Sequence, residues 1–391
     1  MPQGESQAGL VQPVTAGILA AIVGFASSFT VVLQGLAAVG ASPAQAASGL
    51  LVLCLFNGVL AIWLSLRYRI PISTAWSTPG AALLVSTGLP AGGFPAAVGA
   101  FLVAGALVVV AGLWKPFGRA VASIPPSLAN AMLAGVLLDL CLAPMRAAGA
   151  MPALALPIVL AWALAWRFWR LYAVPVAVVV AAVMILSATH LPPGALAQVA
   201  PQLLPVVPAF TAGAAIGIGL PLFLVTMASQ NVPGLAVLNA NGYRPEPGPL
   251  FTATGLASLL AAPFGGHALN LAAITAALCA GRDAHPDPAR RWIAAASAGA
   301  SYVVLGLCAG LAAAFIAASP PLLIQAVAGL ALLGALGGAL TGALANERER
   351  LPAVLTFATT ASGLSFFGIG AAFWGLLAGG ILLGLERLRL R

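Results

Sequence analysis

Pro71-Ile-Ser-Thr-Ala-Trp-Ser-Thr-Pro79-Gly-Ala-Ala-Leu-Leu-Val-Ser-Thr87 decides the fold, because it must cross a membrane without reading as an ordinary membrane helix. Pro71 disfavours helix before it, and the hydroxyl and β-branched residues that follow suit an extended run. Thr78-Pro79 then reads as a helix start, with Thr78 as N-cap and Pro79 at the first helical position. An extended chain covers about 3.3 Å per residue, so 71–78 reaches the bilayer centre. A helix from Pro79 to Gly88 at about 1.5 Å per residue covers roughly the other half of a 30 Å core. A second stretch of this kind is Pro263-Phe-Gly-Gly-His267-Ala-Leu-Asn270-Leu-Ala-Ala-Ile-Thr-Ala-Ala-Leu-Cys-Ala-Gly281. There Gly265-Gly266 breaks any helix, and Asn270 is expected to cap a half-helix over 271–281.

The rest of the chain shows why both must cross. Of 391 residues, 61% are hydrophobic and 6% charged, and mean hydropathy is +1.06. A water-exposed globular fold, near a quarter charged, is excluded. Apolar spans run over 14–39, 43–66, 94–113, 120–142, 150–166, 172–190, 208–229, 248–263, 290–317, 319–343, 351–367 and 369–385. Adding the weak stretches 71–87 and 264–281 gives fourteen, numbered in chain order. With the N-terminus cytoplasmic, fifteen of the sixteen Lys and Arg residues then fall inside, and only Arg146, in the loop expected after span 5, falls outside. This is a strong positive-inside bias. Removing either weak span breaks it, because parity between Arg69 and Lys115, and between Arg244 and Arg282, requires the extra crossing. The pI of about 10.2 thus reads as topology, since no basic cluster suggests nucleic acid.

Fourteen spans suggest two sevens. Thr15-Ala16-Gly17 opens span 1 and Thr211-Ala212-Gly213 opens span 8, an offset of 196. Ile124-Pro125-Pro126 precedes Asn130 in span 5, and Ser319-Pro320-Pro321 precedes Gln325 in span 12, an offset of 195. Pro71 and Pro263 differ by 192. An odd number of spans per repeat inverts the second copy, the architecture of many secondary transporters, with substrate at the midplane between repeats. The expected fold is therefore an all-α polytopic membrane protein of two inverted seven-span repeats, with spans 3 and 10 half extended and half helical. The half-helix N-termini would face each other near the midplane, where uncapped N–H groups and the macrodipole favour an anion. Irregular spans serving packing alone are the alternative reading.

Chemistry-bearing side chains inside spans are few. Asp139 is the one acid within a span; it lies near the external end, within reach of Arg146, as a structural pair or a proton relay. His267, in the extended part of span 10, can titrate near neutral pH, and is expected in substrate contact or proton coupling, or as a hydrogen-bonded structural residue. His190 and His285 fall at a span end and in a loop. The end of span 8 carries Ser229, Gln230 and Asn231 before Pro233-Gly234, and span 1 carries Ser27, Ser28 and Gln34; both sets are expected to face one cavity. Trp76 could stack on an aromatic substrate or simply pack. Cys54, Cys141, Cys279 and Cys308 lie in apolar runs with neither metal-ligand nor disulfide spacing. The first thirteen residues hold no Lys or Arg, and the following run is too long for a cleaved signal. No phosphate-binding loop, paired acids or nucleophile–base spacing supports an enzyme or ATP-driven pump, and no metal or cofactor is expected.

Four segments carry a resemblance: Arg67-Tyr-Arg-Ile-Pro71-Ile-Ser-Thr-Ala-Trp-Ser-Thr-Pro-Gly80, Thr226-Met-Ala-Ser-Gln-Asn-Val-Pro-Gly234, Gly266-His-Ala-Leu-Asn-Leu-Ala-Ala-Ile-Thr275 and Ala284-His-Pro-Asp-Pro-Ala-Arg-Arg-Trp292. Along essentially its whole length the chain resembles the bacterial benzoate–proton symporter (BenE) family, similar in fold to nucleobase–ascorbate transporters and sulfate permeases. The resemblance implies a core domain over 14–117 and 208–317 and a gate domain over 118–190 and 318–390. It also implies a bacterial inner-membrane location with both termini cytoplasmic, and a possible homodimer. Nucleobase transporters look to carboxylates in spans 8 and 10; between residues 208 and 281 the only acid here is Glu246, in a loop. A site without a carboxylate favours an anion, and the resemblance supplies benzoate. The expected function is import of benzoate or a related aromatic carboxylate with protons. The carboxylate would be bound by Ser77, Thr78 and Asn270, with the ring against Trp76, Phe25 or Phe29. A transporter of a neutral nucleobase-like ring and an anion channel are the alternatives.

Overall fold

The computed structural model describes residues 3–122, 125–188, 200, 202–367 and 369–389. The expectations placed on Ile124, His190 and Arg391 lie outside them. Among the described residues, eight helices are long and apolar enough to cross a membrane: Gly9–Ala38, Pro43–Tyr68, Gly93–Leu113, Pro126–Ala150, Arg170–Ser187, Ala212–Ala240, Pro321–Leu344 and Ala371–Leu388. A ninth candidate is Pro288–Gly306 with Ala309–Ala317, bent by 54°. A shorter apolar helix runs over Pro152–Phe168, and further helices over Pro247–Ala261 and Arg350–Ala361. The protein is a mostly helical membrane fold.

Several boundaries differ from expectation, each for a local reason. Span 5 begins at Pro126, after a short helix Lys115–Ala122, because proline starts a helix readily. It continues to Ala150, so Arg146 lies on the helix of Asp139 and not in a loop. Span 8 passes through its polar cluster to Ala240, with π-helical turns at Ala215–Gly219 and Met227–Asn231. The second π-turn resets the hydrogen-bond ladder, and Pro233 falls in the turn just after it. Span 13 stops at Ala361, short of 367. Span 1 is interrupted at Ser27-Ser28, between Gln3–Ala26 and Phe29–Ala38.

Spans 3 and 10 each comprise a three-residue strand and a short helix: β1 (Thr74–Trp76) before Thr78–Thr87, and β2 (Leu269–Leu271) before Ile274–Ala280. The strands pair antiparallel, Thr74 with Leu271, Ala75 with Asn270 and Trp76 with Leu269. Ser77 N–H to the Ala268 carbonyl and Ala272 N–H to the Ser73 carbonyl, both 2.9 Å, extend the ladder. Lipid cannot satisfy the outer strand edges, so flanking helices do. Leu269 N–H donates to Ser258 Oγ at 2.8 Å and Leu271 N–H to Asn231 Oδ1 at 2.9 Å. On the other side Ser65 Oγ donates to the Ile72 carbonyl at 3.3 Å.

Helices around this strand pair touch through small residues, as close membrane crossings require. Span 2 packs on span 11 and span 4 on span 9. A Cβ on Gly299 would lie 2.6 Å from the Gly58 carbonyl oxygen, and one on Gly255 would lie 2.7 Å from Val109 N. Spans 5 and 12 pack together, and with spans 6 and 7 they enclose a separate apolar cluster that includes Ala147, Ile158, Ala177, Leu323 and Val327.

Candidate substrate site

The break in span 1, the ends of both strands and the starts of both half-helices converge on a cavity of about 60 Å³. Ser28, Trp76, Thr78 and Gln230, all expected at the site, form part of its wall. Thr275, Tyr302 and Ser27 line it too, the first two without any role assigned from the sequence. No acid is among the lining residues.

Trp76 is buried and committed by geometry. Its Nε1–H donates to Ser28 Oγ at 2.9 Å, and Ser28 Oγ donates to the Gly24 carbonyl at 2.7 Å. Its ring stands edge-on to Tyr302 and Phe25, with centroids 5.4 and 6.1 Å away, and Phe25 stacks on Phe29 at 5.1 Å. Because the Ser28 hydroxyl serves this chain of bonds, it does not cap Phe29–Ala38. The first turn of that ten-residue helix therefore presents N–H groups without a side-chain cap beside the cavity.

Two expected roles are corrected. The N-cap of the span 3 half-helix is Ser77, not Thr78: Ser77 Oγ accepts from Gly80 N–H at 3.1 Å, which leaves Thr78 in the first turn facing the cavity. Thr226 Oγ1 also donates to Ser77 Oγ, at 2.9 Å. Asn270 does not cap the span 10 half-helix, which starts at Ile274; Asn270 belongs to β2. In the amide orientation that satisfies both ends, it accepts from Ser77 N–H at 3.0 Å and donates to the Leu271 carbonyl at 2.9 Å. Ser77 and Asn270 thus join the two crossovers from behind the cavity wall.

Of the other expected residues, Asn231 is buried, accepting from Leu271 N–H and donating to Met227 Sδ at 3.2 Å. Ser229 is half-buried and off the wall. His267 is fully buried behind Ser77; its Nε2 lies 2.9 Å from the Ser77 carbonyl, which can only accept, so Nε2 carries the proton. His267 Nδ1 has no partner. Asp139 binds Arg146 at 2.6 Å on an exposed face, with neither residue lining the cavity. His285 stays in its loop, accepting from Asp287 N–H at 3.0 Å. Among the described residues no cluster of three His, Cys, Asp or Glu could hold a metal.

Sequence and structural comparisons give the family and the fold. The family model for the benzoate membrane transport protein, BenE, matches residues 8–385. The chain belongs to this family. It is a family of membrane transporters, not of enzymes. The inner membrane protein YdcO of Escherichia coli K12 is 44% identical over 368 residues, covering 94% of this chain and 93% of that protein. The benzoate membrane transport protein of Acinetobacter baylyi is 33% identical over 366 residues, covering 93% and 92%. Among solved structures, the transmembrane domain of a cyanobacterial bicarbonate transporter, BicA, matches with TM-score 0.60 at 13% identity, covering 94% of this chain and 97% of that one. The murine anion transporter Slc26a9, inward-facing, matches with TM-score 0.64 at 12% identity, covering 97% and 69%. At such identities these two establish the fold: this BenE-family protein is built as BicA and Slc26a9 are.

Proposed function

We propose that this protein imports benzoate or a closely related aromatic carboxylate by proton symport, binding the carboxylate where the helix starts of spans 1, 3 and 10 meet. The carrying observation is the composition of the cavity wall: hydroxyls, an amide and an indole, with no acid. The start of the ten-residue helix Thr78–Thr87 adds the positive end of its dipole. The name of the Acinetobacter relative supplies benzoate.

Fourteen crossings in two inverted repeats underlie this mechanism. Support comes from the strand register. The two Pro-Pro segments differ by 195 positions, and Ala75 pairs with Asn270, its own counterpart at that offset. In an antiparallel pair only the residue on a two-fold axis meets its own counterpart, so at that offset the register is the one an inverted repeat requires. The matched crossings of span 2 with 11 and span 9 with 4 fit the same repeat. Spans 1–4 and 8–11 form the core, spans 5–7 and 12–14 the gate, and both termini are cytoplasmic. A buried space that accepts benzene is roughly 150 Å³, against about 60 Å³ here. The ring therefore needs space that rocking of core against gate opens, while the carboxylate already fits.

Of the two titratable candidates for coupling, His267 stands closer to the site. Its free Nδ1 can take a proton, and the resulting imidazolium lies one hydrogen bond from Ser77, behind the site. Uptake of labelled benzoate into proteoliposomes under an imposed inward proton gradient tests the reading, with gradient-dependent accumulation expected. Steady flux without accumulation indicates a channel, and uracil outcompeting benzoate indicates a neutral-ring carrier; either rejects the proposal. His267→Gln is expected to abolish gradient-driven accumulation while retaining benzoate counterflow, and retained accumulation removes His267 from coupling.

A further inference from the structure

We infer that Thr275 supplies the side-chain hydroxyl that binds the substrate carboxylate; this rests on the aromatic-carboxylate reading above. Thr275 is the second residue of Ile274–Ala280, is 6% exposed and lines the cavity. Its Oγ1 nevertheless has no hydrogen-bond partner. A buried unpaired hydroxyl in a native fold calls for an explanation.

The usual partner of such a hydroxyl lies in a strand here. A threonine on a helix ordinarily returns its hydroxyl to the carbonyl four residues back. Ser28 does so to Gly24, Ser258 to Thr254 and Thr356 to Pro352. For Thr275 that carbonyl belongs to Leu271, which lies in β2 and accepts the Asn270 amide. Thr275 thus makes no bond to its usual partner, and its hydroxyl stays unpaired on a residue of the cavity wall. Two neighbouring donors are spent, the Trp76 N–H on Ser28 and the Ser28 hydroxyl on Gly24, while Thr78, Gln230 and Tyr302 share the wall with Thr275. A carboxylate accepts from such a hydroxyl through a short charge-assisted bond.

Gly24 packs against the methyl side of Thr275. A Cβ there would overlap the Tyr302 hydroxyl and approach Thr275 Cγ2 to 2.9 Å. Glycine at this position lets span 1 close on Tyr302 and on the start of the span 10 half-helix.

Calorimetric titration of benzoate into the purified full-length protein in lipid nanodiscs tests this, alongside thermal melts of each variant. Thr275→Val, which keeps the shape and deletes the hydroxyl, is expected to weaken benzoate binding on the order of tenfold or more. Thr275→Ser recovers most of that loss. If Val does not fold, Thr275→Ala is read in the same way. Benzoate binding as tight in Thr275→Val as in the wild type overturns the inference. So does a Thr275→Ser variant as weak as Val, since the loss would then belong to packing. A wild-type protein that binds no benzoate overturns instead the substrate reading beneath it.

Discussion

The half-helices of spans 3 and 10 start beside the same pair of strands and are held from opposite ends. Thr78–Thr87 is secured at its start: Ser77 caps it, Pro79 fits its first turn, and Thr226 braces the cap. Ile274–Ala280 has no side-chain cap at its start and is only seven residues long. Its anchor is at the far end, where the buried guanidinium of Arg291 donates to the carbonyls of Ala280, His285 and Pro286 at 2.9, 2.7 and 3.2 Å. A cation at a helix C-terminus also complements the macrodipole. Tyr243 steadies the same loop through a 2.9 Å bond to the Pro288 carbonyl. Burial raises its phenol pKa against the opposing effect of Arg291, so it remains a neutral donor through physiological pH. One crossover spends its polar groups on itself, whereas the other is fixed remotely and keeps its first turn free for a ligand.

Breaking the remote anchor should have the largest effect. Arg291→Met leaves three carbonyls unpaired at the end of the half-helix, and is expected to cost about 3 kcal/mol or more, read as a large drop in melting temperature in detergent. Arg291→Lys, which keeps the charge but not the fork, should recover only part of it. Removing the near cap is a smaller perturbation. Ser77→Ala is expected to cost about 1–2 kcal/mol, seen in the same melts; a loss as large as that of Arg291→Met would erase the contrast between the crossovers. Smallest is Asp139→Asn. Its partner Arg146 is exposed, so stability should change by no more than about 1 kcal/mol, and gradient-driven benzoate uptake should persist. Abolished uptake would move coupling away from His267.

The parts of this arrangement legible in the sequence are those written in local chemistry. Pro71 and Gly265-Gly266 interrupt helix locally and Thr78-Pro79 starts one, so the strand-then-helix form of spans 3 and 10 could be read. Capping was displaced because it depends on register across the chain. Asn270 looks like an N-cap in sequence, but pairing with Ala75, almost two hundred residues away, draws it into a strand. The interruption at Ser27-Ser28 carries neither proline nor glycine at the break and gives no local sign. Thr275 and Gly24 meet only in three dimensions. Thr275 lies in a segment that carried the family resemblance, yet its importance comes from a bond it does not make.

The self-paired register at Ala75 and Asn270 also bears on how the protein is made. Among the described residues each strand is the only strand paired with the other, and they come from opposite halves of the chain. At roughly 5–20 residues per second, β2 leaves the ribosome on the order of 10–40 s after β1. Until then span 3 has an extended segment with unmatched peptide groups at a depth where lipid offers no substitute. The first half thus waits with these groups unmatched until the second half of the chain brings β2 to it.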